Sequence, residues 1–415
     1  MTEYLQRAEK IMARINELAS ISEDTTGITR TFGTKAFIEG SKKVWLWMHQ
    51  AGLETRVDNI GNVRGRLLSS KPQAKTFVIA SHIDTVINAG KFDGPLGVLI
   101  GLDLIEQLKL TKAALPFNIE LIAFSDEEGV RFHTTYLGSK VVAGSFDESL
   151  LQKRDALEVS LQEAIQLMDG DFKKLRDDAI AKDEWLGYFE IHIEQGPVLY
   201  EQDIPVAVVT NIAGQNRSEI IFTGMAGHAG TVPMDMRTDA LCCAADFILE
   251  TEKFAHKHKD KIVATVGKLN IPNSASNVIP GEVICTIDLR SADEEQLSSA
   301  YQTLQNICKK ITEKRKMNFD WNLIQGTKPV ACNEELNKTL AEAITASGYE
   351  VVKLVSGAGH DAVAISEVTP VSMMFVRCFK GISHNPLENV EIKDIAAAIK
   401  VSDNFIQNLI NKHKN

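Results

Sequence analysis

Short apolar runs alternate with helix-like patterns through the first half of the chain. Stretches rich in β-branched and aromatic residues predict buried strands at Phe77–Ser81, Ile119–Phe124 and Tyr188–His192. The apolar positions between the first two strands predict a helix at Leu96–Leu108. This alternation is typical of an α/β layer built on a mostly parallel sheet.

The pattern becomes charged and helical between residues 146 and 182. Five apolar residues fall on one stripe there: Leu150, Leu157, Leu161, Ile165 and Met168. We therefore expect peripheral helices whose charged face is solvated.

A different order of elements begins near residue 214. It predicts strand Ser218–Gly224, helix Thr238–Phe254, strands Ile262–Leu269 and Val283–Leu289, helix Glu294–Lys316 and strand Phe319–Ile324. This βαββαβ order is that of a ferredoxin-like split sandwich. The α/β pattern then returns, with helix Glu334–Ser347, strands Val351–Val355 and Val371–Val376, and helix Ile392–Leu409.

The chain is thus expected to have an α/β fold with two domains. At 415 residues it exceeds the usual size of a single core. We predict a discontinuous catalytic domain, residues 1–213 and 327–415, with residues 214–326 inserted as a second domain.

Composition narrows the possible functions. Hydrophobic residues make up 44% and charged residues 24%, as in soluble globular proteins. The net charge of −10 disfavours nucleic acid and anionic membranes as partners. The amino terminus does not resemble a signal peptide, no segment is long enough to span a membrane, and the six cysteines form no Cys-x-x-Cys pair. We expect a cytoplasmic protein with reduced thiols.

Polar residues follow the first two predicted strands. His82 and Asp84 would project to one side where the first strand ends. Such a pair is more often structural than metal-binding. After the second strand, three consecutive acids in residues 125–129 (SDEEG) would repel one another unless a cation or a helix N-terminus compensates them. A solvated acidic loop is the alternative.

Two more histidines extend this set. His192 lies in residues 192–197 (HIEQGP) on the third strand, and His384 lies in residues 383–386 (SHNP) after the last one. Each histidine is weak evidence alone, since buried structural histidines are common. A dinuclear metal centre needs a small set of groups: a carboxylate shared between two cations, one or two terminal ligands on each, and a free acid nearby.

Taken in order, these motifs resemble those of the M20 metallopeptidase-like amidohydrolases, and within them the allantoate amidohydrolase and N-carbamoyl-L-amino acid hydrolase branch. The similarity extends over almost the whole chain. Peptidases of this superfamily typically carry an acid where this chain has His192, and a histidine there resembles the ureido-acid hydrolases.

The resemblance implies two divalent metal ions per subunit. His82, Asp93 and His192 would hold one ion, and Asp93, Glu128 and His384 the other, with Asp93 as the bridge. Imidazole and carboxylate ligands suit Zn²⁺ or Mn²⁺, and also Co²⁺ or Ni²⁺.

The resemblance also assigns roles around the ions. Asp84 would fix the tautomer of His82, and Glu127 would be the general base. His228, within the glycine-rich residues 224–233, would stabilise the oxyanion in the site of a partner subunit, which implies a homodimer. Without the resemblance, a structural turn histidine would be the favoured interpretation of His228.

Substrate contacts are implied at further positions. Asn277 and Arg290 would bind the substrate carboxylate, with an ordinary ion pair between Asp288 and Arg290 as the alternative. Gln195 matches a polar substrate-contact position.

One further motif, residues 357–362 (GAGHDA), satisfies the Gly-x-Gly-x-x-Ala form of a dinucleotide fingerprint. It comes late in the chain and lacks the acidic residue that should end a following strand. The resemblance instead implies that this loop lies at the active site, with Gly359 and His360 as substrate contacts.

The implied activity is hydrolysis of a ureido acid, with allantoate converted to ureidoglycine, ammonia and carbon dioxide in purine catabolism. N-carbamoyl-L-amino acids are the close alternative, and β-ureidopropionate is a lesser one. An M20 dipeptidase or aminoacylase is disfavoured by His192. A non-catalytic binding protein on the same scaffold is disfavoured because all five ligands and Glu127 are present.

Overall fold

The computed structural model describes residues 2–414, which form two compact units. One unit comprises the chain up to Thr210 and from Cys332 onward, and the other is Asn211–Ala331. The α-helices are α1 Thr2–Ala19, α2 Lys35–Gln50, α3 Pro95–Leu110, α4 Leu137–Ala143, α5 Leu161–Leu167, α6 Val198–Gln202, α7 Ala240–Lys257, α8 Glu294–Lys314, α9 Glu334–Ala346, α10 Ala362–Ile365 and α11 Ile392–Lys412. The strands are β1 Glu54–Val57, β2 Val63–Leu67, β3 Thr76–His82, β4 Asn118–Phe124, β5 Trp185–Ile193, β6 Val206–Ile212, β7 Gly214–Thr223, β8 Gly227–His228, β9 Val263–Asn270, β10 Val278–Ile279, β11 Glu282–Ser291, β12 Asn318–Thr327, β13 Val330–Ala331, β14 Lys353–Ser356 and β15 Val371–Val376.

The central sheet is mixed, with strand order β1-β2-β4-β3-β5-β15-β6-β13 and β14 paired to β6. The pairings of β4 with β3, β3 with β5, and β5 with β15 are parallel. The pairings toward both edges are antiparallel. The prediction of a mostly parallel sheet is therefore wrong outside the centre. At one edge the cause is local, because the five residues between β1 and β2 are too few for a parallel crossover.

Helices and the central strands share one apolar core. Strands β3 and β15 are buried along their whole length. Helix α3 is buried on nearly all sides from Pro95 to Ile105, which explains its continuous apolar sequence. Residues of α1, α9 and α11 pack into the same core. This packing holds the carboxyl ends of the central strands in place.

The charged segment from residue 146 to 182 is less regular than predicted. It contains α5 and two 3₁₀ helices, Glu148–Gln152 and Phe172–Asp178. Leu161 and Ile165 are buried in a small separate core, and Leu150 and Met168 pack against it, whereas Leu157 is 81% exposed. The predicted apolar stripe is therefore wrong at Leu157, while its other four residues share one core.

The unit Asn211–Ala331 has its own sheet and core. Its main elements follow the order β7, α7, β9, β11, α8, β12, and the antiparallel sheet has strand order β12-β7-β11-β9. Helices α7 and α8 contribute, with residues of the sheet, to one apolar core. The short strands β8 and β10 form a separate pair.

No helix within residues 2–414 is both long enough and apolar enough to cross a membrane.

Candidate metal centre

The carboxyl ends of the parallel strands bring the predicted ligands together. His82 is the last residue of β3, the acids of residues 126–128 follow β4, and His192 is the penultimate residue of β5. Ligand sites of open α/β sheets lie at this edge. Because β4, β3 and β5 are neighbours in the sheet, the residues at their carboxyl ends lie close together.

The first group of ligand atoms is fully buried. Nε2 of His192 lies 3.0 Å from Oδ1 of Asp93, and Nε2 of His82 lies 3.5 Å from the same oxygen. The two Nε2 atoms are 3.4 Å apart. All three side chains could therefore offer one atom each to a single cation.

The second group uses the other oxygen of Asp93. Nε2 of His384 lies 3.4 Å from Oδ2 of Asp93 and 3.3 Å from Oε1 of Glu128. His384 is partly exposed, with 47% of its side chain accessible. Asp93 therefore lies between the two groups and directs one oxygen toward each.

The orientation of the imidazole rings suits a divalent cation. Nδ1 of His82 lies 3.1 Å from the carbonyl oxygen of Asp84, and Nδ1 of His192 lies 2.9 Å from that of Ile193. A carbonyl oxygen can only accept, so each Nδ1 carries a proton and each Nε2 can direct a lone pair into the cluster. Two lone pairs and a carboxylate converge there, and a cation satisfies all three.

The acids around the histidines favour the protonated imidazoles. Hydrogen bonds to Asp93 and Glu128 raise the pKa of His384 to about 10. Burial would raise the pKa of Asp93, but the charge of His192 and hydrogen bonds from the histidines hold it well below its usual range. Burial opposes protonation of His82, yet its contacts with Asp84 and Asp93 raise its pKa well above the usual value. The cluster therefore attracts positive charge.

Asp84 stabilises the turn that carries the acids. Its Oδ1 accepts the backbone N–H of Glu127 at 3.0 Å, and its Oδ2 accepts that of Glu128 at 3.1 Å. The same Oδ1 is 3.5 Å from Nδ1 of His82, farther than the carbonyl oxygen of Asp84 itself. We expected the Asp84 carboxylate to fix the tautomer of His82. The backbone carbonyl of Asp84 sets it instead, because the carboxylate is held by the backbone N–H groups of Glu127 and Glu128.

Glu127 is suitably placed for proton transfer. It is buried, and one of its oxygens lies within 4.8 Å of ligand atoms of His82 and Glu128. Burial raises the pKa of Glu127 well above its usual value, although the charge of His82 opposes this shift. A carboxyl group with a raised pKa beside a metal cluster can act as a general base.

Gln195 contacts the predicted bridging carboxylate. Its Nε2 donates to Oδ2 of Asp93 at 2.8 Å, and Oγ of Ser383 donates to the same oxygen at 2.8 Å. Gln195, which we expected to bind substrate, therefore holds Asp93 in this structure. Ser383 was missed by the sequence analysis, and its position directly before His384 is the only signal that could have indicated it.

The loop of residues 357–362 lies against His192. The His360 ring centroid is 4.5 Å from that of His192, and its Nε2 is 2.7 Å from Oγ of Ser356. Burial lowers the pKa of His360 well below its usual value. A Cβ atom at Gly359 would lie 1.8 Å from the Tyr136 hydroxyl, so a side chain at this position would displace that hydroxyl. His360 is 1% exposed, and in this structure it packs against the predicted ligand His192.

The remaining predicted residues lie in the unit Asn211–Ala331. His228 is exposed on β8. Ala229, the residue after His228, donates its backbone N–H to the carbonyl oxygen of Asn277 at 2.9 Å. Arg290 on β11 pairs with Asp288, with 2.8 Å between its Nε and Oδ1. The ion pair left open as an alternative is therefore present.

Comparison with known proteins identifies the family. The model of peptidase family M20/M25/M40 matches residues 78–408. Allantoate deiminase 2 of Glycine max is 38% identical, covering 97% of this chain and 89% of that protein. An N-carbamoyl-L-amino-acid amidohydrolase of Pseudomonas sp. (strain NS671) is 35% identical, covering 95% and 96%.

A solved structure agrees with these relatives. The hydantoinase/carbamoylase family amidase of Burkholderia multivorans has a TM-score of 0.90 at 32% identity, covering 97% of each chain. The resemblance expected from the motifs is thus confirmed, and the chain belongs to the M20 peptidase family, in the branch of allantoate deiminases and N-carbamoyl-L-amino-acid amidohydrolases.

Proposed function

We propose that the chain is an amidohydrolase that cleaves a carbamoyl C–N bond of a ureido acid, with allantoate as its main substrate. Water would add to the carbamoyl carbon, and the products would be ureidoglycine, ammonia and carbon dioxide. The observation that carries this proposal is the 38% identity to an allantoate deiminase over 97% of the chain. This activity would belong to purine catabolism.

Two divalent ions would be held by the ligands described above. His82, His192 and Oδ1 of Asp93 form one group, and His384, Glu128 and Oδ2 of Asp93 form the other. Zn²⁺ or Mn²⁺ fits these nitrogen and oxygen ligands, as do Co²⁺ and Ni²⁺. When bound, such ions supply the Lewis acidity that a ureido carbon requires, because two nitrogen atoms donate electrons into it.

The protein side chains would move the protons. Glu127 accepts a proton from the attacking water and returns it to the departing nitrogen. Asp84 keeps Glu127 in reach through the backbone hydrogen bond at 3.0 Å. Asn277 and Arg290 bind the substrate carboxylate, and the fork of the Arg290 guanidinium suits that task. Gln195, Gly359 and His360 complete the substrate site.

The unit Asn211–Ala331 is proposed to be a ferredoxin-like domain through which two subunits associate. Its antiparallel order β12-β7-β11-β9 leaves β9 at an edge, with Val263 62% and Leu269 46% exposed. An exposed edge strand with apolar side chains favours pairing with another chain. In the homodimer, His228 of one subunit would stabilise the oxyanion in the site of the other.

A cytoplasmic location is also proposed. All six cysteines are free, and five of them are buried. Unpaired thiols suit a reducing compartment.

A second candidate is hydrolysis of N-carbamoyl-L-amino acids. The 35% identity to an N-carbamoyl-L-amino-acid amidohydrolase, with coverage as high as that of the plant relative, favours it. Both substrates present a carbamoyl group and a carboxylate, so the same metal centre serves either one.

A substrate panel tests the proposal. Allantoate, several N-carbamoyl-L-amino acids, β-ureidopropionate and a dipeptide are assayed with Zn²⁺, Mn²⁺, Co²⁺ and Ni²⁺ in turn. The highest kcat/KM is expected for allantoate. Preference for a carbamoyl amino acid would select the second candidate, and preference for the dipeptide would contradict both.

A further inference from the structure

Glu388 connects the two loops that carry Asp93 and His384. It follows His384 by four residues, and its Oε1 accepts the backbone N–H of Phe92 at 2.6 Å and that of Asp93 at 3.1 Å. The side chain therefore reaches across from the His384 loop to the backbone of the predicted bridging ligand. Only 3% of Glu388 is exposed.

The surroundings of Glu388 are built closely around it. A Cβ atom at position 90 would lie 2.3 Å from Cβ and 2.6 Å from Oε1 of Glu388, so Gly90 leaves the room that this side chain occupies. Its Oε2 is buried and has no hydrogen-bond partner within residues 2–414. A buried carboxylate with one unpaired oxygen costs free energy, and a purely structural role would be better served by a group with both oxygens bonded.

Glu388 links two ligands of the same predicted ion, Asp93 and His384. Its backbone belongs to the loop of His384, whereas its hydrogen bonds hold the backbone of Asp93. Asp93 and His384 are ligands of the same predicted ion, together with Glu128. His82 and His192, which complete the other group, lie at the ends of β3 and β5 and not on this loop.

We propose that Glu388 is a positioning residue that fixes the spacing of Asp93 and His384 and thereby sets the affinity of the Asp93–Glu128–His384 group for its divalent ion. This inference rests on the two-metal centre of the proposed function. Residues that orient metal ligands typically change metal affinity by about 10- to 100-fold when they are removed. The ion held by His82, His192 and Asp93 should be affected less, because Asp93 is the one ligand of that group that Glu388 contacts in this structure, whereas the other group has both Asp93 and the loop of His384 tied to Glu388.

The test is a titration of the metal-free full-length protein with Mn²⁺, followed by electron paramagnetic resonance. The signal of unbound Mn²⁺ gives the affinity of each site. The spin-coupled signal of two neighbouring ions appears only when both sites are filled. Glu388→Ala is expected to weaken the second site by about 10-fold or more and the first by less than about 3-fold. Glu388→Gln keeps an accepting oxygen and should restore most of the affinity.

Two further variants complete the experiment. Gly90→Ala pushes on Glu388 without changing it and should weaken the second site in the same way. Glu391→Gln is the matched control, because Glu391 is exposed on the same loop and pairs only with Lys393 among the contacts described. It should leave both affinities unchanged.

Three results would overturn the inference. Tight binding of both ions by Glu388→Ala would exclude a positioning role. Equal weakening of both sites, with a lower melting temperature of the metal-free protein, would indicate general structural support instead. If the unchanged protein itself binds fewer than two ions, the two-metal centre fails and the role of Glu388 fails with it. If Glu388→Ala does not fold, Gly90→Ala decides the question: selective weakening of the second site supports the role of Glu388, and two unchanged affinities exclude it.

Discussion

His82 and His192 direct their Nε2 atoms toward each other across 3.4 Å, and both Nδ1 atoms are held by backbone carbonyls. Two lone pairs cannot face each other so closely without a positive charge between them. A proton or a metal ion must therefore bind there, and Asp93 at 3.0 Å from His192 completes the ligands of an ion.

Metal removal should destabilise the unit that contains this cluster. Because the ion binds the folded state, excess metal at 100 times Kd should stabilise it by about 2.7 kcal/mol relative to the metal-free protein. Differential scanning calorimetry of chelator-treated protein, with and without added Zn²⁺ or Mn²⁺, measures the shift. His192→Ala should lose most of it, and an unchanged shift in that variant would argue against His192 as a ligand.

Glu127→Gln should bind both metal ions and lose activity. The amide keeps the size of the side chain but cannot accept a proton, so kcat should fall by about 10²- to 10⁴-fold. Metal analysis by mass spectrometry is the control. Near-normal turnover with both ions bound would show that another group is the base.

The site could be predicted where ligands follow strands with a clear apolar pattern. Strand β15 spans the predicted residues Val371–Val376, an unbroken apolar stretch apart from Ser372. Strand β2 was not predicted, because Arg64 and Arg66 interrupt its pattern. Arg64 is nevertheless buried, and its Nε pairs with Oε1 of Glu120 on β4 at 2.6 Å. The neighbouring strand, together with the carbonyl oxygen of Asp178 that accepts Nη1 of Arg64 at 2.6 Å, makes that arrangement favourable.

Long-range hydrogen bonds account for what the sequence could not predict in the site. Ser383 and Glu388 bind Asp93 across almost 300 residues of chain, and no periodicity marks such a contact. The His82 tautomer illustrates a second limit. A backbone carbonyl has no sequence signal, so the nearby acid at Asp84 was the natural prediction.

The proposed cross-subunit role of His228 predicts complementation. His228→Ala and Glu127→Gln homodimers should each be inactive, because each site then lacks one group. Random exchange of equal amounts makes about half of the dimers mixed, and one of the two sites in each mixed dimer has both groups intact. About a quarter of the activity should therefore return. Subunit exchange must be verified with differently tagged subunits. Verified exchange without recovered activity would contradict the role of His228.

Asp58 predicts a pH dependence of stability. Its carboxylate accepts two hydrogen bonds from Asn62, and the Asn62 side chain in turn accepts the N–H of Ser125, which begins the turn of acids. Burial raises the pKa of Asp58 to about 6 from 3.8. The folded state therefore holds this proton more tightly than the unfolded state, so Asp58 contributes a loss of stability as pH rises from about 4 to about 6.

The magnitude of this effect can be measured by difference. A shift of about two pKa units corresponds to about 3 kcal/mol. Urea unfolding of the unchanged protein and of Asp58→Asn at several pH values isolates the contribution, because the variant lacks the titrating group. If the difference between the two proteins stays constant from pH 4 to pH 7, Asp58 titrates normally.

The central claim is that two ions bound at Asp93 support hydrolysis of a ureido acid. The most direct measurement is product analysis with allantoate, using the metal-free protein titrated with Mn²⁺. The account predicts one ammonia and one carbon dioxide per ureidoglycine formed, with activity rising as the second ion binds. Full activity without added metal after exhaustive chelation, or no turnover of any ureido acid with both ions bound, would contradict it.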